Sequence, residues 1–191
     1  LTGEAIRLAR ILHQLLPDDL ETTGLLAMLL LTESRRAARV RHGELVPLDE
    51  QDRGGWDRSL IKEGHDLVRE CLAANRPGRY QILAAVNAVH TDAPTAAATD
   101  WSQVVALYDQ LARIDPSPIV ALNRAVAVAE LDGPEVALAI VDRLPLSGYH
   151  AWHATRADLL RRLGRSAEAR TAYDDALADR KSTRLNSSPR C

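Results

Sequence analysis

Apolar positions recur along most of this chain at intervals of three and four residues, the period of a helix with one buried face. Over 4–16, Ile6, Ala9, Leu12 and Leu16 share a side, and Pro17 ends the run. Asp18 or Asp19 offers a cap for a second helix that reaches Arg36. Its core-facing residues include Leu25, Met28, Leu29 and Thr32, and Arg35 and Arg36 sit at its carboxyl end, where cations suit the helix dipole. The pattern changes over 38–52. Val40 and Leu45-Val46 flank the turn-forming His42-Gly43, so the segment near 38–48 reads as a short hairpin or a loop, the one place where strand is allowed. A third helix follows over 56–74, closed by Asn75-Arg-Pro-Gly78, then a fourth over 80–90 and a loop over 92–99 containing Pro94.

The second half repeats itself. Asp100 caps a helix carrying Trp101, Val104, Val105, Tyr108 and Leu111, which ends at Asp115-Pro-Ser-Pro118. Helices over 118–131 and 134–144 form a pair joined by Asp132-Gly133. A further helix over 149–163 carries Trp152, Ala157 and Leu160 and stops at Leu163-Gly164. Gly164 suits the left-handed position that closes a helix, and Ser166 is placed to cap the next one. Ala169, Tyr173 and Ala176 then form one stripe, with the Tyr173 ring expected to fill the gap between two closely approaching helices. The Leu-Gly turn followed by Ala, an aromatic and Ala resembles the tetratricopeptide repeat. The resemblance implies an all-α fold of helical hairpins stacked as a right-handed solenoid over 100–180, with a helical part over 1–99 packed on it. Such repeats bind proteins or peptides or brace a neighbouring domain.

Composition narrows the class. Hydrophobic residues make up 46% of the 191 and charged residues 26%, ordinary values for a globular protein, and the absence of Phe suits close-packed helices. The longest apolar run, Leu25 to Leu31, is far short of a membrane span. Cys71 lies in a helical pattern as a small core residue and forms no ligand cluster with Cys191, which fits a reducing cytoplasm. The chain begins at Leu1 rather than Met, so a native start and any targeting signal are expected upstream. Residues 181–191 lose all periodicity and read as a foreign, disordered extension; without them 21 basic residues face 26 acidic ones. That balance gives no electrostatic drive toward nucleic acid.

Three groups of residues are candidates for chemistry. Asp49, Gln51, Asp52 and Arg53 precede Trp56-Asp57-Arg58, a dense aromatic and charged cluster. It reads either as a contact surface with an indole anchor and Arg forks, or as caps and ion pairs around a core Trp. Asn123-Arg124 puts polar groups in an otherwise apolar helix, where they either hold a peptide in a repeat groove or satisfy neighbouring helix ends. His150 and His153 are three apart but lack a third ligand and any HExxH pattern, so they read as a solvated pair. With no Gly-rich phosphate loop, nucleophile elbow or CxxC, neither an enzyme nor a cofactor is expected.

Several motifs occur together in order. They are Gly24-Leu-Leu-Ala-Met-Leu-Leu-Leu31, Asp49-Glu-Gln-Asp-Arg53 with Trp56-Asp-Arg58, and Tyr80-Gln-Ile-Leu-Ala-Ala85. Asp100-Trp101 through Leu107-Tyr108, Ser117-Pro-Ile-Val-Ala-Leu-Asn-Arg-Ala125 and Arg156-Ala-Asp-Leu-Leu-Arg-Arg-Leu-Gly164 complete the set. Together they resemble the C-terminal tetratricopeptide-like extension of bacterial extracytoplasmic-function sigma factors, members of the sigma-70 family. The resemblance implies a cytoplasmic regulatory part of a protein that directs RNA polymerase to promoters. Its partners would be the sigma-factor core domains, through them RNA polymerase, and a protein or peptide regulator, with no membrane and no direct nucleic acid contact. Partner-binding residues would be drawn from Asp49, Gln51, Asp52, Arg53, Trp56, Asp57, Arg58, Asn123, Arg124 and Arg156. A stand-alone adaptor that binds a peptide or protein is the alternative.

Overall fold

The structure is a computed structural model, and it describes residues 2–41, 44–46 and 50–186. It is all-α, as expected. Helices α1 (Thr2–Leu15), α2 (Leu20–Glu33), the short α3 (Arg36–Arg39), α4 (Arg58–Ala73), α5 (Arg79–Asp92) and α6 (Trp101–Ile114) precede α7 (Pro118–Leu131), α8 (Pro134–Val141), α9 (His150–Arg162) and α10 (Ser166–Asn186). Of the two readings near 38–48, the hairpin is the one present: β1 (Val40–Arg41) pairs antiparallel with β2 (Glu44–Leu45), Val40 opposite Leu45. No helix among the described residues is long and apolar enough to cross a membrane.

The chain divides into two compact units, Leu1–Asp115 and Pro116–Cys191. The boundary lies sixteen residues later than the one expected from the repeat pattern, because α6 packs on α5 and so closes the first unit. Val104 and Leu111 are its buried contacts, and Trp101 meets His90 edge to face.

In the first unit α2 is the central element, packed by α1, α4 and α5. This overturns the expected face of α2. Leu26, Ala27, Leu30 and Leu31 are the buried residues, whereas Leu25, Met28, Leu29 and Thr32 are only partly covered. A helix with neighbours on three sides is apolar nearly all round, so no single stripe marks its core side. Complete burial of a Leu such as Leu30 or Leu31 is worth about 1.5–3 kcal/mol each. On α4 the inner face is Ile61, Gly64, Val68 and Cys71. Gly24 brings α2 and α5 together: a Cβ there would lie 2.5 Å from the Gln81 backbone nitrogen. Glu21 of α2 reaches across to cap α5, its carboxylate accepting from the amides of Tyr80 at 3.1 Å and Gln81 at 3.4 Å.

Several helices begin where the sequence put them. Asp19 accepts from Glu21 N, Asp100 from Gln103 N, and Ser117 from Val120 N ahead of Pro118. On α1 only Ile6 and Ala9 of the expected face turn inward. Leu12 and Leu16 are exposed, together with Leu8, Ile11 and Leu15. Helix α2 stops at Glu33 rather than running to Arg36, because buried Ser34 turns its hydroxyl to Leu31 O and its carbonyl to Asp57 N.

The second unit consists of two helical hairpins, α7 with α8 and α9 with α10, and α8 also packs on α9. Its core is Val120, Leu122, Ala125, Ala127, Val128 and Ala129 of α7, Ala137, Leu138 and Val141 of α8, Ala157, Leu159 and Leu160 of α9, and Ala169 and Ala172 of α10. Gly164 adopts φ +74, and the Arg165 amide returns to Leu160 O, the left-handed closure expected at the Leu-Gly turn. Ser166 is the first residue of α10 rather than its cap. Tyr173 does not fill the gap between helices: it is 40% exposed, and Ala172 takes the inward position beside Ala169. Helix α10 also continues through Asn186, past the boundary expected at 180, since neither Gly nor Pro intervenes before Pro189. Residues 187–191 of the expected disordered extension lie outside the described residues.

Candidate functional site

The sequence cluster around Trp56 becomes part of a larger basic and aromatic cluster in the first unit. A 3-10 turn over Arg53–Gly55 is capped by Asp52, whose carboxylate accepts from Gly54 N at 2.8 Å. The turn lays the Arg53 guanidinium over the Trp56 ring, with Cζ 4.4 Å from the ring centroid. Arg53 Nη1 then donates to the carbonyls of His90 at 2.7 Å and Ala93 at 2.8 Å. Those oxygens belong to the carboxyl end of α5, where a cation also meets the favourable end of the dipole. Trp56 itself is only 3% exposed. Trp56 is therefore a core residue with capping acids around it, and it carries an Arg on its face.

Three residues that the sequence did not single out as site residues complete the cluster, and Arg35, read only as a helix-end cation, joins them. Arg35 follows the end of α2, and its Nη2 donates to Asn87 Oδ1 at 2.9 Å. Asn87 is held in turn by Leu83 O. The His90 ring stands edge-on to Trp101, centroids 5.3 Å apart.

The electrostatics are unusual. Burial, with the charges of Arg39 and Arg53, pulls the Arg35 guanidinium down to about 10, so it remains charged at pH 7. Burial also lowers Arg53. Burial and the charges of Arg35 and Arg53 push His90 down to about 4, which leaves it neutral. No carboxylate among the described residues offsets any of the three. Arg35 Nε, Arg53 Nη2, Trp56 Nε1 and His90 Nδ1 are buried without a hydrogen-bond partner among the described residues, as are Gln51 Oε1 and Thr99 Oγ1. Buried donors and cations are normally paired, so this concentration is a deficit of negative charge and of acceptors.

The other predicted residues have structural duties. Gln51 donates to Val46 O at 3.0 Å, Asp57 caps α4 through the amides of Ser59 and Leu60, and exposed Arg58 reaches Arg53 O at 3.4 Å. Asp49 lies outside the described residues. Asn123, Arg124 and Arg156 belong to the second unit. Asn123 is exposed and Arg124 half-buried on α7; Arg156 pairs with Asp142 at 2.8 Å and lies 6.0 Å from the Trp152 ring. His153 Nε2 donates to Ser147 O, 2.7 Å away, and among the described residues no group of three His, Cys, Asp or Glu is placed to hold a metal. A separate cleft, lined by Val68, Cys71, Gln81, Ile82, Ala85 and Leu107, opens between α4, α5 and α6.

Comparison with known proteins adds two relationships. Residues 1–72 match the model of a family of unknown function (DUF6596). The chain is also similar to an uncharacterized protein of Rhizobium meliloti (strain 1021), with 48% identity over 181 residues, covering 93% of this chain and 43% of that protein. The chain thus spans less than half the length of that relative. No solved structure matches.

Proposed function

We propose that this chain is the C-terminal regulatory part of an extracytoplasmic-function sigma factor, acting in the cytoplasm through protein contacts rather than through chemistry of its own. The observation that carries the reading is the fate of the most distinctive motif in the resemblance. Arg53 and Trp56 do not disappear into apolar packing. They organise a buried cluster with Arg35 and His90 whose guanidinium and indole donors keep unmet hydrogen-bonding capacity. Helical hairpins in both halves of the motif series and a relative more than twice as long support the same reading.

The test is promoter-dependent transcription with core RNA polymerase. Three proteins would be compared at equal concentration: the longer parent, the parent lacking residues 1–191, and the parent with Asn123 and Arg124 replaced by Ala. Loss of the extension is expected to change transcript yield several-fold, and the double replacement to reproduce part of that change. Equal yield from all three would remove the regulatory reading. A parent with no polymerase-binding helices upstream would leave the adaptor in its place.

A further inference from the structure

We propose that the cluster of Arg35, Arg53, Trp56 and His90 is a binding site for a dianionic phosphate group. It rests on the cluster alone, so it can fail while the sigma-factor reading stands.

The site is defined by what its residues still lack. Arg53 spends Nη1 on two carbonyls and its face on Trp56, which leaves Nη2 buried and unpartnered. Arg35 spends Nη2 on Asn87, which leaves Nε in the same condition. Trp56 is almost wholly buried, yet its indole N–H has no acceptor. Two guanidinium N–H donors and one indole N–H therefore await oxygen atoms. Arg35, Arg53 and His90 each keep part of their surface exposed, so the cluster lies beside solvent although its unpartnered donors are buried.

Charge selects among oxyanions. Arg35 and Arg53 are not ion-paired with any carboxylate among the described residues, which leaves two unpaired charges at neutral pH, since His90 is neutral there. A carboxylate cancels half of it, whereas a phosphate near its second ionisation cancels nearly all. Arg is also the residue whose fixed N–H geometry matches phosphate oxygens. The phosphate arrives either on a small molecule or on a phosphorylated side chain of a partner protein; the recognition chemistry is the same.

The chain's three indole N–H groups provide a residue-specific readout, because ¹⁵N-labelled protein gives one cross-peak for each of Trp56, Trp101 and Trp152. Trp152 is the internal reference, its indole N–H already donating to Val141 O at 2.8 Å in the other unit. Sodium phosphate would be titrated at pH 7.5 and constant ionic strength. The Trp56 peak is expected to move saturably with a Kd of about 1 mM or tighter, Trp152 to stay still, and acetate to bind at least about tenfold more weakly. Arg35→Gln should weaken phosphate by about tenfold or more, and Arg35→Lys, which keeps the charge and loses Nε, by an intermediate factor. If Arg35→Gln fails to fold, the wild-type titration and Arg35→Lys still decide. Free phosphoserine binding as well as a phosphoserine peptide points to a small molecule, and a peptide at least about tenfold tighter points to a partner protein; both support the site. No saturable movement of Trp56 by about 50 mM phosphate would overturn it, as would equal affinity for acetate or equal movement of Trp152.

Discussion

Replacing Gly24 by Ala is expected to destabilise the protein, against the usual rule for a glycine inside a helix. Gly24 lies within α2, where Gly→Ala by itself should gain about 0.8–1 kcal/mol of helix propensity. The added methyl would fall 2.5 Å from the backbone nitrogen of Gln81 and 2.8 Å from its Cα. Those atoms are main chain of α5, so no rotamer change relieves the overlap and the two helices must separate. Overpacking of this kind costs about 1–3 kcal/mol, and a backbone clash belongs at the upper end. The net loss is then about 1–2 kcal/mol. Separation would also disturb the Leu30 and Leu31 packing between α2 and its neighbours. Urea unfolding followed by circular dichroism measures the loss as a fall in midpoint at unchanged slope. Gly3→Ala is the control: it lies in α1 with nothing within 4 Å of the added Cβ, and should leave the midpoint unchanged or raise it. A Gly24→Ala protein as stable as wild type, with Gly3→Ala behaving alike, would refute the close-contact argument.

Other expectations follow from single features. Trp56→Ala should cost about 3–5 kcal/mol in the same unfolding assay, because the ring is 3% exposed and supports Arg53. His90 titrates near 4 in the fold and near 6.5 when unfolded, so the unfolded chain binds the extra proton between those values; stability should fall as pH drops from 6.5 toward 4, and His90→Gln should flatten that slope in thermal unfolding against pH. Burial pushes the Cys71 thiol up to about 11, so peptide mapping after iodoacetamide at pH 8 should find Cys71 unmodified in native protein and modified in urea. Arg162→Ala removes a 2.6 Å ion pair with Glu130 and a hydrogen bond to Ala129 O, and should lower stability by no more than about 1 kcal/mol because the pair is part-exposed.

What was legible in the sequence is what the chain decides locally. The caps at Asp19 and Asp100, the left-handed Gly164 and the strand-permitting stretch at Val40 and Leu45 involve residues a few positions apart, and each is within what was read. The face of α2 was not legible, because packing by α1, α4 and α5 makes it apolar all round. Tyr173 misled for a related reason: the repeat pattern reserves a place for an aromatic, but the small Ala169 and Ala172 already fill the contact. In the candidate site, Arg53 and Trp56 were visible as a motif. Asn87, His90 and Trp101 were not, because α5 and α6 bring them to the cluster from 34 or more residues beyond Arg53; Arg35 looked only like a helix-end cation. The hint available was a run of basic and aromatic residues at the ends of apolar helices, which acquires meaning only when those ends meet.

The cap that Glu21 gives to α5 has a consequence for the order in which this protein assembles. Gly78 offers α5 no side chain, so the first amides of that helix are satisfied by a carboxylate 59 residues earlier in the chain. A peptide of α5 alone should therefore fray at its amino end, and its last stage of ordering waits for α2 to dock. During synthesis α2 emerges first, before α4 and α5, the helices that cover most of it. Until they arrive, Leu26, Leu30 and Leu31 have little to bury them, and that interval is when the nascent chain is most exposed to misassociation and most in need of a chaperone.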